Sequence, residues 1–119
     1  MNPIDVLAIC GKVCVNPLKG VALNKVITDQ LRLTKTEIVR VNFAGVTTVT
    51  SSFLNYAIGA LYREFEHGEL RRRLTFEGLD ETDKHLLLLV QNNAKRFYMA
   101  NTALRIKLAR ADDQLLTLS

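Results

Sequence analysis

The sequence predicts an α/β sandwich with at least two parallel strand pairs joined by helices. Two observations carry that prediction. Short apolar or β-branched runs alternate with stretches of helical periodicity, in the order strand, helix, strand, helix, strand, helix. Such alternation makes the helices crossovers between parallel strands. The chain also has the length of one core: its 119 residues lie within the ~100–150 typical of a single domain. With 48% hydrophobic and 24% charged residues, disorder, a collagen repeat and a disulfide scaffold are all excluded.

Val6-Leu7-Ala8-Ile9-Cys10 is an apolar run closed by Gly11 and reads as a buried strand, with Val13-Cys14-Val15 pairing back or extending it. Asn16-Pro17 starts a helix, Asn as cap and Pro at the first helical position, where its missing N–H has no helical partner. Leu23, Ile27 and Leu31, with Val26 beside them, form its core-facing stripe. Gly20 weakens that helix by roughly 1 kcal/mol against Ala, and a later start at Gly20 is the alternative. Residues 37–43 read as a central strand ended by Ala44-Gly45. Val46–Thr50 is a β-branched loop or short extended piece, and Ser51 or Ser52 caps the next helix. That helix carries Leu54, Ala57, Ile58, Leu61 and Phe65 on one face and stops at His67-Gly68.

Leu70–Phe76 reads as a third strand, turned by Gly78. From Asp80 or Thr82 a long helical pattern begins, with Leu86, Val90, Ala94, Phe97, Asn101, Leu104 and Leu108 close to one stripe. A single helix from Asp83 to Arg110 would be ~40 Å long, more than a small sheet covers. It either breaks near Asn101-Thr102 or packs its far end on something else. Residues 1–119 therefore read as one domain, with 101–119 as a C-terminal helical extension or tail.

Several function classes are set aside. No window approaches the ~20 apolar residues of a membrane span. Met1–Asp5 lacks a basic n-region and a long apolar h-region, so the expected location is cytoplasmic, with Cys10 and Cys14 as reduced thiols. Cys10-x-x-x-Cys14 with the distant His67 and His85 does not have zinc-ligand spacing. No Gly-rich elbow, dinucleotide fingerprint, Walker A or EF-hand pattern occurs. The expectation is a protein that is not an enzyme and takes no cofactor.

Residues 41–54 read Val-Asn-Phe-Ala-Gly-Val-Thr-Thr-Val-Thr-Ser-Ser-Phe-Leu. This segment resembles the signature of the STAS domain of bacterial anti-sigma factor antagonists, roughly V-D-L-S-G-V-x-x-[MI]-D-S-S-G-L. It is closer to the STAS-like domain of unknown function, where a strand leads through a Gly-Val loop to Ser-Phe at a helix start. The resemblance implies a mixed sheet of about four strands with helices packed largely on one side. It also implies a bacterial regulatory protein that works by protein–protein interaction. In antagonists of that kind a Ser at this helix start is phosphorylated by a kinase of the GHKL ATPase class; Ser51 and Ser52 occupy the corresponding pair. The chain departs from the signature at Asn42 and Thr50, where the family has acids, and at Phe53, where it has Gly. The implied contact surface is Thr50, Ser51, Ser52 and Asn55, with Phe53 as an apolar anchor. Apart from the resemblance, a Ser pair ahead of an apolar helix serves most often as a cap alone.

The net charge is +4. Arg71-Arg72-Arg73, read as strand, puts Arg72 on the face of Leu70, Leu74 and Phe76, with Glu64, Glu66 and Glu69 upstream for local pairing. Between Ala94 and Ala111 the cations Lys95, Arg96, Arg105, Lys107 and Arg110 have no acid among them. These two features carry the alternative function, a basic nucleic-acid-binding accessory protein, against which they read as paired or solvated helix charge. The apolar residues beyond Ala100 predict a homodimer that buries Leu104 and Leu108.

Overall fold

The computed structural model describes the backbone of residues 2–118 and the side chains of residues 2–99. In chain order the elements are β1 (Ile4–Asp5), α1 (Val6–Cys10), β2 (Val13–Cys14), α2 (Pro17–Leu33), β3 (Val39–Asn42), β4 (Thr48–Val49), α3 (Ser51–Ala57), a 3-10 segment (Gly59–Arg63), α4 (His67–Arg73), β5 (Leu74–Glu77) and α5 (Glu81–Leu118). The α/β class is as predicted, but the mixed sheet of about four strands is not. Three strands form one sheet in the order β1-β3-β5 and two form another, β2-β4. Every pairing is parallel, with Ile4 opposite Val41, Val41 opposite Phe76 and Cys14 opposite Val49.

β3 is the central strand. Val39 and Val41 are fully buried, while Arg40 is exposed and its Nε donates to Glu77 Oε1 at 2.8 Å across the β3–β5 pair. α2 begins where the sequence placed it. The Asn16 side chain accepts from Leu18 N–H, Pro17 stands in the first turn, and Leu23, Ile27 and Leu31 are buried. α2 packs on α3, and α3 with the 3-10 segment packs on α5.

The predicted strand at Val6–Cys10 is a helix. Asp5 accepts from Ala8 N–H at 3.3 Å, and the buried pair Val6 and Cys10 is spaced i, i+4, the helical period. The helix closes at Gly11, whose φ of +83° favours glycine. The strand lies just before it, at Ile4–Asp5, and Val13–Cys14 forms β2 against β4.

The helix predicted through Phe65 breaks after Ala57 and resumes as the 3-10 segment. Its apolar positions keep their roles: Leu54, Ala57, Ile58 and Leu61 are buried and Phe65 partly so. Leu61 is 1% exposed, so Leu61→Ala is expected to cost about 3 kcal/mol through lost burial and a residual cavity. Urea denaturation measures this, and an unchanged midpoint would show that Leu61 lies outside the cooperative core.

His67-Gly68 opens α4 rather than ending a helix, and Leu70–Arg73 is helical, so β5 is shorter than predicted. The reason is Arg73. Leu70 and Arg73 sit three apart on the buried side of α4, which strand geometry would not allow. Arg71 and Arg72 are exposed, so the inward arginine is Arg73 and not Arg72. α5 starts at an Asp80 cap, whose Oδ1 accepts from Asp83 N–H at 2.8 Å. It runs unbroken past Asn101-Thr102, where a break was one of two expectations. Leu87 and Val90 are its buried contacts; Leu86 is only partly buried. The expected burial of Leu104 and Leu108 lies outside the described side chains.

Candidate functional site

The route from β3 to α3 is held by backbone contacts. Asn42 Oδ1 accepts from Ala44 N–H at 2.9 Å, and Gly45 takes a φ of +85°. Thr47 and Thr48 N–H groups both donate to the Lys12 carbonyl, at 2.8 and 3.2 Å. Thr50 N–H then donates to Cys14 O at 3.2 Å. The small β2–β4 sheet thus fixes the chain up to the residue before α3.

That residue is the cap. Thr50 is extended, and its Oγ1 accepts from Phe53 N–H at 3.3 Å. Capping therefore falls one residue earlier than the Ser51 or Ser52 expected from sequence. Ser51 and Ser52 occupy the first turn of α3 and are exposed. Asn55 is also exposed. Phe53, expected as an apolar anchor for a partner, is fully buried and belongs to the domain's own core. α2 lies against α3 at this point.

Gly20 makes that approach close. A methyl group at Gly20 would stand 2.7 Å from Phe53 O and 3.0 Å from Tyr56 Cβ. The glycine that weakens α2 as an isolated helix is what lets α2 and α3 cross at this distance. Beside the crossing, Asn24 Nδ2 donates to Ala57 O at 3.1 Å. An open groove of about 360 Å³ follows, lined in part by Val21, Asn24, Asn55, Tyr56, Arg63 and Tyr98. Sequence reasoning identified Asn55 but not its neighbour Tyr56 on α3, nor that the packing of α5 brings Tyr98 alongside.

The other candidates separate. Cys10 and Cys14 are buried; their thiols donate to Lys19 O at 3.5 Å and Gly11 O at 3.4 Å. Burial, with the neighbouring Cys14, pushes the Cys10 thiol up to about 11, and burial raises Cys14 as well. Burial and an upward shift are the surroundings of a structural thiol. His67 and His85 are exposed, and among the described residues no group of three or more His, Cys, Asp or Glu is placed to hold a metal. Among them, too, no helix is long and apolar enough to cross a membrane. The Arg71–Arg73 run is divided, since Arg73 turns into the core and its Nη1 lies 3.8 Å from Glu69 Oε2. Arg105, Lys107 and Arg110 lie outside the described side chains.

Residues 24–84 match the family model described as a STAS-like domain of unknown function. The chain belongs to that family. The match runs from within α2 to the start of α5, so it takes in β3, the Gly45-Val46 loop, the Thr50 cap and the exposed serines of this STAS-like domain. No curated protein and no solved structure matches the chain.

Proposed function

We propose that this STAS-like domain is a non-enzymatic regulatory module that binds another protein through the start of α3. Thr50, Ser51, Ser52 and Asn55 supply the polar contacts, and Ser51 and Ser52 are the sites at which phosphorylation switches binding. The observation that carries this reading is the cap: Thr50 takes the capping bond, and both serines are left at the surface. A phosphoserine in the first turn adds about −1.5 to −2 charge beside N–H groups that have no intrahelical partner. The partner class, a GHKL-type ATPase or kinase, rests on the likeness of residues 41–54 to the antagonist signature. A cytoplasmic, bacterial setting belongs to the same proposal.

The test is phosphorylation of the purified domain by a GHKL-type kinase and ATP, read by intact mass, then repeated on Ser51→Ala, Ser52→Ala and the double variant. Gain of one phosphate that the double variant loses is the expected result. Ser51→Asp or Ser52→Asp is expected to change partner affinity at least about tenfold, the effect of one charge-assisted contact. Unaltered affinity together with no phosphate gain would overturn the switch. The nucleic-acid alternative loses Arg73 to the core; a steep fall of binding to duplex DNA with salt would revive it.

A further inference from the structure

The buried stripe of α5 does not end with the domain. Leu87 and Val90 are 4% and 3% exposed, and Gly59 of the 3-10 segment lies against Val90 and Ala94. One step further along the same stripe Phe97 is 60% exposed. Counted on through the helix, the spacing alternates strictly between three and four: 87, 90, 94, 97, 101, 104, 108, 111, 115 and 118. The occupants are Leu87, Val90, Ala94, Phe97, Asn101, Leu104, Leu108, Ala111, Leu115 and Leu118. A sustained alternation of this kind is the seam of a left-handed coiled coil, and it demands a second helix.

We infer that α5 pairs with α5 of a second copy of this chain as an antiparallel coiled coil, beyond Phe97, with the two domains at opposite ends. Two features choose the occupant and its direction. The domain itself already covers the seam at Leu87 and Val90. A parallel partner would have to place the first half of its own α5 in that space; an antiparallel partner needs only the second half of each helix.

The charges beside the seam choose the register. With Asn101, Leu108 and Leu115 in the first core position of each heptad, Arg105 and Asp112 occupy equivalent flanking positions. In an antiparallel pair such positions face one another. Setting Leu108 opposite Ala111 of the second copy, and Leu104 opposite Leu115, puts Arg105 opposite Asp112, and two-fold symmetry repeats the pair. A slip of one heptad either way puts Arg105 on Arg105 or Asp112 on Asp112. In the chosen register Leu108 meets Ala111, Leu104 meets Leu115 and Asn101 meets Leu118. The acid-free stretch from Ala94 to Ala111 thereby finds its acid on the second copy.

The test is sedimentation equilibrium of the full chain and its variants. The expected result is a mass twice the 13.4 kDa chain at micromolar concentration. A single-chain mass at ~100 µM, where a dimer of micromolar affinity would be almost fully formed, would overturn the inference. Arg105→Asp sets acid against acid in both symmetric pairs and is expected to weaken the dimer about tenfold. Adding Asp112→Arg restores it in the antiparallel register. In a parallel pair the same double variant sets Lys107 beside the new arginine and does not restore it, which would overturn the orientation. Leu108→Lys, at a seam position, gives the single-chain mass; a dimer that survives it would show that the interface lies elsewhere. Circular dichroism and the unfolding midpoint of each variant report that the domain itself is intact. Failure of the serine switch leaves these outcomes untouched.

Discussion

Arg73→Leu is expected to destabilise the domain by about 4 kcal/mol. The Arg73 side chain is 5% exposed. Its Nε donates to Glu37 O at 3.1 Å, Nη1 to Leu31 O at 3.1 Å, and Nη2 to Thr34 O at 2.7 Å and to Thr34 Oγ1 at 3.3 Å. Leu31 and Thr34 belong to the end of α2, where the last carbonyls have no partner within the helix and carry the negative end of its dipole. One guanidinium thus closes α2 and ties it to the chain entering β3. Leucine fills the volume but leaves three carbonyls without these donors, each worth about 1–3 kcal/mol when buried, partly offset by water reaching the edge of the site. Arg73→Lys keeps the charge but carries a single nitrogen instead of the planar fork, and is expected to recover less than half of the loss. Urea denaturation of the three proteins measures this. A loss below about 1 kcal/mol for Arg73→Leu would mean that water satisfies the end of α2 unaided.

The arginine also shows where sequence reading succeeds and fails. α2 was legible because cap, Pro17 and apolar stripe all lie within one segment, and each acts through local geometry. β3 was legible as a β-rich run at residues 37–43, whose alternation there is only partial; the strand itself is Val39–Asn42, with Val39 and Val41 inward and Arg40 outward. Val6–Cys10 was not, because five apolar residues fit a buried strand and a short helix equally well; the deciding bond, Asp5 to Ala8 N–H, comes from a residue outside the run. Arg73 was not, because its partners lie 36 to 42 residues earlier in the chain.

The candidate site divides in the same way. The Thr-Ser-Ser stretch marks a helix start from sequence alone. Which hydroxyl caps depends on where β4 releases the chain, and that is set by Lys12 and Cys14 across the small sheet. The burial of Phe53 follows from tertiary packing, in which α2 crosses α3 with Gly20 against the Phe53 carbonyl. Read within α2 alone, Gly20 looked like a defect, because the helix it admits is 30 or more residues away in sequence.

Gly78→Val is expected to cost about 4 kcal/mol and to disturb the α3 surface at a distance. Gly78 follows β5 with a φ of +79°, a conformation that costs a residue with a Cβ roughly 1–2 kcal/mol. A Cβ there would also stand 2.4 Å from Ala44 N, 2.8 Å from Ala44 Cα and 3.0 Å from Asn42 Oδ1. Two of those neighbours are backbone and cannot rotate aside. The loop after β3 must therefore move, and it is already tied down: Phe43 N–H donates to Glu77 O at 2.8 Å, and Thr47 and Thr48 N–H groups to Lys12 O. Displacing it strains the β2–β4 sheet that delivers Thr50 to its cap, so the partner binding proposed for Ser51, Ser52 and Asn55 should fall along with stability. Gly11 supplies the control. Its φ of +83° is nearly the same, but a Cβ there meets nothing within 4 Å. Gly11→Val should therefore lose only what its backbone conformation costs, φ +83° with ψ −175°, an almost glycine-only region worth roughly 1–3 kcal/mol. Equal losses at the two glycines in urea denaturation would show that the contact between Gly78 and Ala44 contributes nothing. A larger loss at Gly78 measures the close packing of the two loops at the carboxyl end of the β1-β3-β5 sheet.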